Sequence, residues 1–147
     1  MQDSLALTIF AGVAVFVISQ FFMRFILDPA VALKEVLGEM SHFFLLHQAE
    51  ITNAYGSNEL NEGLKKISAQ ILAKKEAIPS YNIFSWLLGL PKEEIFIEVA
   101  KELNKISHQL KQNIPNVRGS SGLGSPVIIG ISMKKIQKQT GIRVSYE

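Results

Sequence analysis

The longest run of hydrophobic positions in the chain extends from Leu5 to Leu27, with the sequence LALTIFAGVAVFVISQFFMRFIL. Its only charged residue is Arg24, close to its end. An α-helix of this length reaches roughly 34 Å at about 1.5 Å per residue, and the hydrocarbon core of a bilayer is roughly 30 Å thick. The pattern therefore predicts one membrane-spanning helix, with residues 1–27 as a transmembrane anchor.

A cleaved signal and a buried core helix both fit this run less well. A cleaved secretory signal has basic residues before a short apolar core and small residues at its cleavage site. Here no Lys or Arg precedes the run, which ends in Phe25, Ile26 and Leu27. A core helix of a soluble protein is disfavoured because 147 residues cannot easily surround a helix that is apolar on every side. We therefore expect an uncleaved anchor.

A first amphipathic segment follows the anchor. Asp28 is a good N-cap and Pro29 suits the first helical position, so a new helix is predicted to begin here, with a kink at the membrane surface. Apolar positions then recur at alternating spacings of four and three, the pattern of a packed helix seam. This seam consists of Leu33, Leu37, Met40, Phe44, His47 and Ile51.

Two further amphipathic segments complete the predicted core. One begins at Asn58, the predicted N-cap, and is stopped by Pro79; the other covers residues 91–112. Both carry apolar residues at helical spacing, acidic residues in the first turn and basic residues in the last. Short connections favour antiparallel neighbours, so residues 28–112 are predicted to form an antiparallel three-helix bundle with one additional short helix.

The additional short helix lies in the aromatic stretch 80–90, SYNIFSWLLGL. Tyr81, Phe84 and Trp86 are candidates for contact with the membrane surface, where Trp and Tyr concentrate. The alternative is that this stretch covers the open end of the helical core. We favour the second interpretation, because a small bundle needs apolar area and the stretch has no basic residue of its own.

The composition changes at residue 113. Residues 113–126 are rich in Gly, Ser and Pro and predict a flexible linker. Val127 to Ile131 predicts a short strand, and residues 133–140 predict one or two helical turns that end at Gly141. Residues 113–147 carry five basic residues and one acidic residue, a net charge of +4: Arg118, Lys134, Lys135, Lys138 and Arg143 against Glu147. We expect a solvated basic tail; anionic lipid, nucleic acid or an acidic partner are the alternatives.

The predicted fold class is thus all-α: one transmembrane helix, a helical bundle over residues 28–112, and a short irregular tail over 113–147 that contains a β segment. Small or polar residues share one face of the span and indicate a packing surface between membrane helices: Thr8, Ala11, Gly12, Val15 and Ser19. Gln20 and Arg24 are candidates for the lining of a pore, because hydrocarbon disfavours their polar groups.

The sequence offers little catalytic chemistry. It contains no Cys and three histidines, His42, His47 and His108. His47 and Glu50 have the i, i+3 spacing of half a carboxylate-bridged metal site at most, so a metal there would need a second copy of the chain. No nucleophile or phosphate-loop motif is present. We predict no enzyme, no cofactor, no metal and no small-molecule substrate, and nucleic acid is not expected as a partner.

The basic residues predict an orientation. None precedes the span, whereas Arg24, Lys34 and a group of lysines follow it. The positive-inside rule then leaves a short N-terminus outside and the C-terminal domain in the cytoplasm, in a single-pass protein of a bacterial inner membrane. The lack of Cys fits a reducing compartment.

Three pieces of sequence carry a resemblance: FILDPAVALKEVLGE, LKKISAQILAKKEAIPSY and WLLGLPKEEIFIEVAKELNKISHQL. Over about residues 5–110 the chain resembles a loose group of small bacterial inner-membrane proteins with a single span and a cytoplasmic helical bundle. The resemblance implies a membrane location and carries no activity.

Two functions are compatible with these features. The first is an anchored interaction or scaffold protein that self-associates or recruits a protein partner at the membrane. The second is an oligomeric pore-forming or channel-like protein, an effector or accessory of a defence system, in which several spans form a ring. The polar residues of the span motivate the second function.

Overall fold

The computed structural model describes residues 2–112 and 126–146, and all of their regular structure is helical. The predicted all-α class is confirmed in that form, with one helix near the N-terminus that is long and apolar enough to cross a membrane. The elements in chain order are α1 (Gln2–Phe22), a π-helical segment (Met23–Leu27), α2 (Asp28–Leu46), α3 (Gln48–Thr52), α4 (Asn58–Glu76), α5 (Tyr81–Leu88), α6 (Glu93–Gln112) and α7 (Pro126–Thr140).

The longest element is a continuous helix from Ser4 to Leu46. An α-helical element begins at Asp28 as predicted, but the helix is not a new one: Asp28 is itself helical rather than an N-cap, and its N–H donates to the carbonyl of Met23, five residues earlier. In a regular α-helix the ring of Pro29 would collide with the carbonyl of Phe25. The wider π turn changes this register just before the proline, so the helix continues through it.

The two halves of this helix have different surroundings. No residue of its most apolar 18-residue window is buried, and we call residues 4–25 the apolar arm. The second half belongs to the packed part of the chain, residues 28–112 and 126–146, which we call the helical module. Leu33, Met40 and Phe44 of this half are fully buried there.

Helices α4 and α6 pack against each other in opposite directions. Asn61, early in α4, contacts Ser107, late in α6, whereas Lys75, late in α4, contacts Glu93, at the start of α6. Helix α2 packs on α4 as well. The ring of Phe43 lies so close to Gly63 that a β carbon at residue 63 would come within 2.5 Å of it. The glycine that interrupts the α4 sequence thus makes room for an aromatic ring of α2.

Side chains from α2 to α7 form one hydrophobic cluster. Full burial of a large apolar side chain stabilises a fold by about 1.5–3 kcal/mol, so this cluster is the main favourable contribution to the stability of the module. Its largest fully buried members are Phe44, Phe96, Leu33, Met40, Ile51, Leu60, Leu64, Ile71, Leu103, Ile106, Leu110 and Ile129.

The C-terminal part differs most from the prediction. The predicted strand Val127 to Ile131 is wrong, because these residues lie in α7. Its buried positions are Ile129, Ser132, Met133 and Ile136, which recur at helical spacing. This face packs on α6, so tertiary contact outweighs the strand propensity of the β-branched residues. The helical turns predicted over 133–140 are confirmed as the end of α7, and the predicted linker lies mostly in residues 113–125, outside the described part.

Two helix boundaries also differ from the prediction. The first module helix is interrupted at His47 (φ −104°, ψ 21°) before the short α3. Ser57, rather than Asn58, caps α4, since its side chain accepts a hydrogen bond from the N–H of Leu60. Both Ser and Asn are good N-caps, so their side chains alone do not distinguish the two positions.

Candidate functional site

The face predicted for helix packing lies on the apolar arm, and all its residues are exposed. The Thr8 hydroxyl donates to the carbonyl of Ser4 at 2.8 Å, and the Ser19 hydroxyl donates to that of Val15 at 2.7 Å. Both polar groups are therefore satisfied within their own helix. Ala11 is exposed as well, and outside the backbone of its own helix nothing lies within 4 Å of a β carbon built on Gly12.

Gln20 and Arg24 lie one helical turn apart near the end of the apolar arm. They line a surface groove with Phe21 and Phe25, whose rings stack with centroids 5.6 Å apart. Arg24 lies three residues before the end of the apolar run. An arginine there can keep its stem on apolar surface and its guanidinium among polar groups.

The predicted seam of the first module helix faces the core. Leu33, Leu37, Met40, Phe44 and Ile51 are buried. The sixth residue of the seam is only half-buried.

That sixth residue is His47. Its ring lies 4.8 Å from that of Phe43, and its Nδ1 is 3.3 Å from the Glu50 carboxylate. The i, i+3 pair predicted from spacing is thus in contact. Among the described residues, no three His, Cys, Asp or Glu side chains come together as a metal site.

The three aromatic residues predicted as membrane-surface candidates separate in space. Tyr81 belongs to the core: its hydroxyl donates to the carbonyl of Pro91 at 2.6 Å, and its ring meets that of Phe96 edge to face at 6.0 Å. Burial, with a smaller effect from the charge of Glu93, raises the pKa of the Tyr81 phenol to about 12. Tyr81 is therefore closed off from any external surface.

Phe84 connects α5 to the end of the apolar arm. Its ring meets that of Phe22 edge to face, with centroids 6.2 Å apart. Trp86 is 85% exposed, and its neighbours Ile83 and Leu87 are 67% and 58% exposed. Helix α5 thus lies beside the last turn of the arm and leaves an uncovered apolar face.

A buried lysine lies at this end of the module. The Lys75 ammonium donates to the carboxylates of Glu76 at 2.6 Å and Glu93 at 2.5 Å. These hydrogen bonds hold the pKa of Lys75 above its ordinary value, against the opposing effect of burial. The sequence pattern indicated Lys75 only as a helix-terminal charge. Lys75 follows the buried residue Ile71 by four positions, so helical spacing could have predicted that it also faces the core.

Polar side chains also join α4 and α6 along their length. Ser107 donates to the side chain of Asn61, and Ser68 donates to the carbonyl of Ala100 at 3.3 Å. Asn104 donates to the Ser68 hydroxyl at 3.4 Å. These contacts were not predicted, although Asn61 and Ser68 occupy the buried side of α4. A buried polar pair requires its partner, so the contacts favour one register of the two helices.

Helix α7 is held to α6 by a largely buried carboxylate. Glu102 accepts hydrogen bonds from the Ser132 hydroxyl at 2.7 Å and the Lys135 ammonium at 3.1 Å. Burial opposes ionisation of Glu102, but these two bonds and the nearby lysines lower its pKa below the ordinary value. Lys135, one cation of the predicted solvated tail, is therefore paired with a carboxylate of α6.

Comparisons of the chain with protein-family models, with curated proteins and with solved structures found no match. The function of the chain is therefore argued from its own residues and geometry. Two features define the candidate site: the largely exposed apolar arm, and the aromatic end of the module beside it.

Proposed function

We propose that this chain is a membrane-anchored helical interaction protein, in which the apolar arm crosses the bilayer and the helical module holds a partner at its surface. The observation that carries the proposal is the division of the helix from Ser4 to Leu46. Its first part is apolar and has no buried residue in its most apolar window, and its second part is built into the core. Such an uncovered apolar helix is costly in water and stable in lipid.

The positive-inside rule supplies the orientation in this proposal. The module follows Arg24 and lies in the cytoplasm, and the few residues before the arm lie outside. The bundle proposed for the module extends the predicted three helices by α7, since α7 contributes Ile129 and Ile136 to the common core. The continuous helix through the π segment couples the module directly to the arm, so the module stays close to the bilayer.

Membrane extraction tests the anchor. We expect the full chain to stay with the membrane fraction in alkaline carbonate and to leave it in detergent. The variant Val13→Arg puts a charge in the middle of the arm, at a cost of roughly 2.5–3.5 kcal/mol for insertion, and should increase the extracted fraction. Val127→Arg, at an exposed position of α7, is the matched control. Complete extraction of the unaltered chain by carbonate would contradict the proposal.

A pore assembled from several spans is the second candidate. It draws support from Gln20 and Arg24, two polar side chains exposed on the arm. The intrahelical hydrogen bonds of Thr8 and Ser19 speak against it, because these hydroxyls need no partner from another chain. The interaction protein is therefore the preferred function.

The mass of the protein in mild detergent distinguishes the two candidates. Light scattering during size exclusion, with the detergent subtracted, should give a monomer or dimer for an anchored interaction protein and a discrete complex of several chains for a pore. Gly12→Leu fills open space in a single chain, so it should reduce the mass only if this face packs between copies. A large complex that conducts ions would overturn the preferred function.

A further inference from the structure

We infer that the exposed face of α5 inserts into the interfacial layer of the same bilayer that the arm crosses, which makes a second membrane contact for the module. The inference rests on the proposed anchoring function. The occupant of this face is lipid, rather than a second copy or another protein. Three observations carry it: the division of α5 into two faces, its contact with the arm, and the side chains around Trp86.

Helix α5 has one face buried in the core of the module and one exposed apolar face. Ile83, Trp86 and Leu87 have the i, i+3, i+4 spacing of one helix face. All three are more than half exposed. Tyr81 and Ser85, on the opposite side, are buried. The helix is therefore already anchored in the module through one face, and its apolar face turns outward.

The contact between α5 and the arm determines the depth at which the exposed face of α5 lies in the bilayer. Phe84 packs edge to face on Phe22, and Phe22 precedes Arg24 by two residues, about 3 Å along the helix axis. Arg24 is the only charged residue of the apolar run, and its long side chain can reach the headgroups from this position. A helix that contacts Phe22 from outside the arm lies at the depth where hydrocarbon gives way to headgroups.

The tryptophan on the exposed face of α5 suits the interfacial layer. Trp and Tyr concentrate there because their rings are apolar and their N–H or O–H groups can reach water or headgroups. The groove beside Trp86 is lined by Lys92, Glu93 and Glu94, so its charges do not select anionic lipid. Apolar contact drives the docking, and zwitterionic lipid is sufficient for it.

The chain itself supplies the reporter, since Trp86 is its only tryptophan. The full chain is reconstituted into phosphatidylcholine vesicles, with or without bromine on the acyl chains, and flotation measures the bound fraction. We expect Trp86 emission to be blue-shifted and at least halved by lipid brominated close to the headgroup. Brominated lipid occupies both leaflets, so the result is independent of the orientation in the vesicle.

Two variants make the assignment specific. The double change Ile83→Glu with Leu87→Glu should return Trp86 emission to a water-like wavelength and remove most of the quenching, while flotation persists. Val127→Glu, at an exposed apolar position of α7, should change neither. Because both α5 positions are exposed, these changes leave the core intact, and circular dichroism of the helices verifies this.

The possible outcomes distinguish failure of this inference from failure of the proposed anchor on which it rests. Vesicles that float with the protein while Trp86 stays water-like and unquenched would overturn the inference and leave the anchor in place. A blue-shifted Trp86 that brominated lipid does not quench would also overturn it, since a second copy would then cover the face. Failure of the chain to float would refute the anchor itself.

Discussion

At the residue scale, Ser80 has a backbone that favours glycine. It lies just before α5 in the left-handed region (φ 48°, ψ 46°), its side chain makes no capping hydrogen bond, and it is exposed. A non-glycine residue in this region costs about 1–2 kcal/mol, partly offset by the greater freedom of glycine in the unfolded chain.

We therefore expect Ser80→Gly to raise the free energy of unfolding of the full chain in mild detergent by about 0.5–1 kcal/mol. Ser80→Ala keeps the β carbon and is the matched control, so it should give no such gain. Denaturant unfolding followed by circular dichroism measures both. Equal stabilities of the Gly and Ala variants would contradict the strain assigned to this turn.

Tyr81 makes the fold sensitive to alkaline pH. Its pKa is raised from an ordinary value of 10.0 to about 12 by burial, so between these values the unfolded chain loses a proton that the folded chain keeps. The free energy of unfolding therefore falls as the pH rises through this window. The raised pKa of Lys75 acts in the same direction above 10.5.

The expected measurement is the phenolate absorbance of the three tyrosines during an alkaline titration. The last step should coincide with unfolding and disappear in Tyr81→Phe. Tyr55→Phe, at an exposed ring, should leave that step in place. If the last titration step remained in Tyr81→Phe, that step would not belong to the Tyr81 phenol.

Residue burial within the helices was largely predictable, because spacing alone identifies the side that packs. Five of the six residues of the α2–α3 seam, from Leu33 to Ile51, are buried as that spacing indicates. Partners across helices were not predictable. Lys75 reaches Glu93 only because α4 and α6 are antiparallel in one particular register, and a single sequence does not contain that register.

At the element scale, α7 depends on a carboxylate that must stay ionised. Hydrogen bonds from Ser132 and Lys135 lower the pKa of Glu102. A group with a lowered pKa in the folded state contributes stability above its unfolded pKa and loses it as the pH falls through the folded value. Attachment of α7 should therefore weaken under acidic conditions, below the ordinary range of a glutamate.

We expect Glu102→Gln to destabilise the full chain by about 1 kcal/mol at neutral pH and to flatten the acidic limb of its stability profile. Glu94→Gln, at an exposed position of α6, is the control and should leave that limb unchanged. Hydrogen exchange of the α7 amides gives a local readout. Unchanged protection of α7 in Glu102→Gln would contradict this role of the carboxylate.

Two elements show why local patterns were insufficient. The Val127–Ile131 stretch has the composition of a strand, but it forms a helix in which Ile129 is buried in the core. At Asp28-Pro29, capping rules favoured a new helix, but the preceding π turn absorbs the proline within a continuous one. Both results depend on the structure that surrounds each segment, so the residues of the segment alone do not predict them.

At the scale of the whole molecule, one helix joins two kinds of surface. The arm is strongly apolar and has no buried residue in its most apolar window, and the module is a packed set of helices with a common core. This division was predictable, because the hydropathy of Leu5 to Leu27 differs so strongly from the rest of the chain. The position of α5 beside Phe22 was not, since it depends on how the module folds back on the arm.

The central claim is that the arm spans the bilayer with the module on the cytoplasmic side. The chain contains no cysteine, so single variants Ser4→Cys, Val13→Cys and Glu59→Cys can be labelled with a membrane-impermeant thiol reagent in intact and permeabilised bacterial cells whose outer membrane has been removed. We predict labelling of residue 4 in intact cells, of residue 59 only after permeabilisation, and of residue 13 in neither. The claim would be contradicted if residue 13 were labelled in both intact and permeabilised cells, as fast as residue 59 is labelled after permeabilisation.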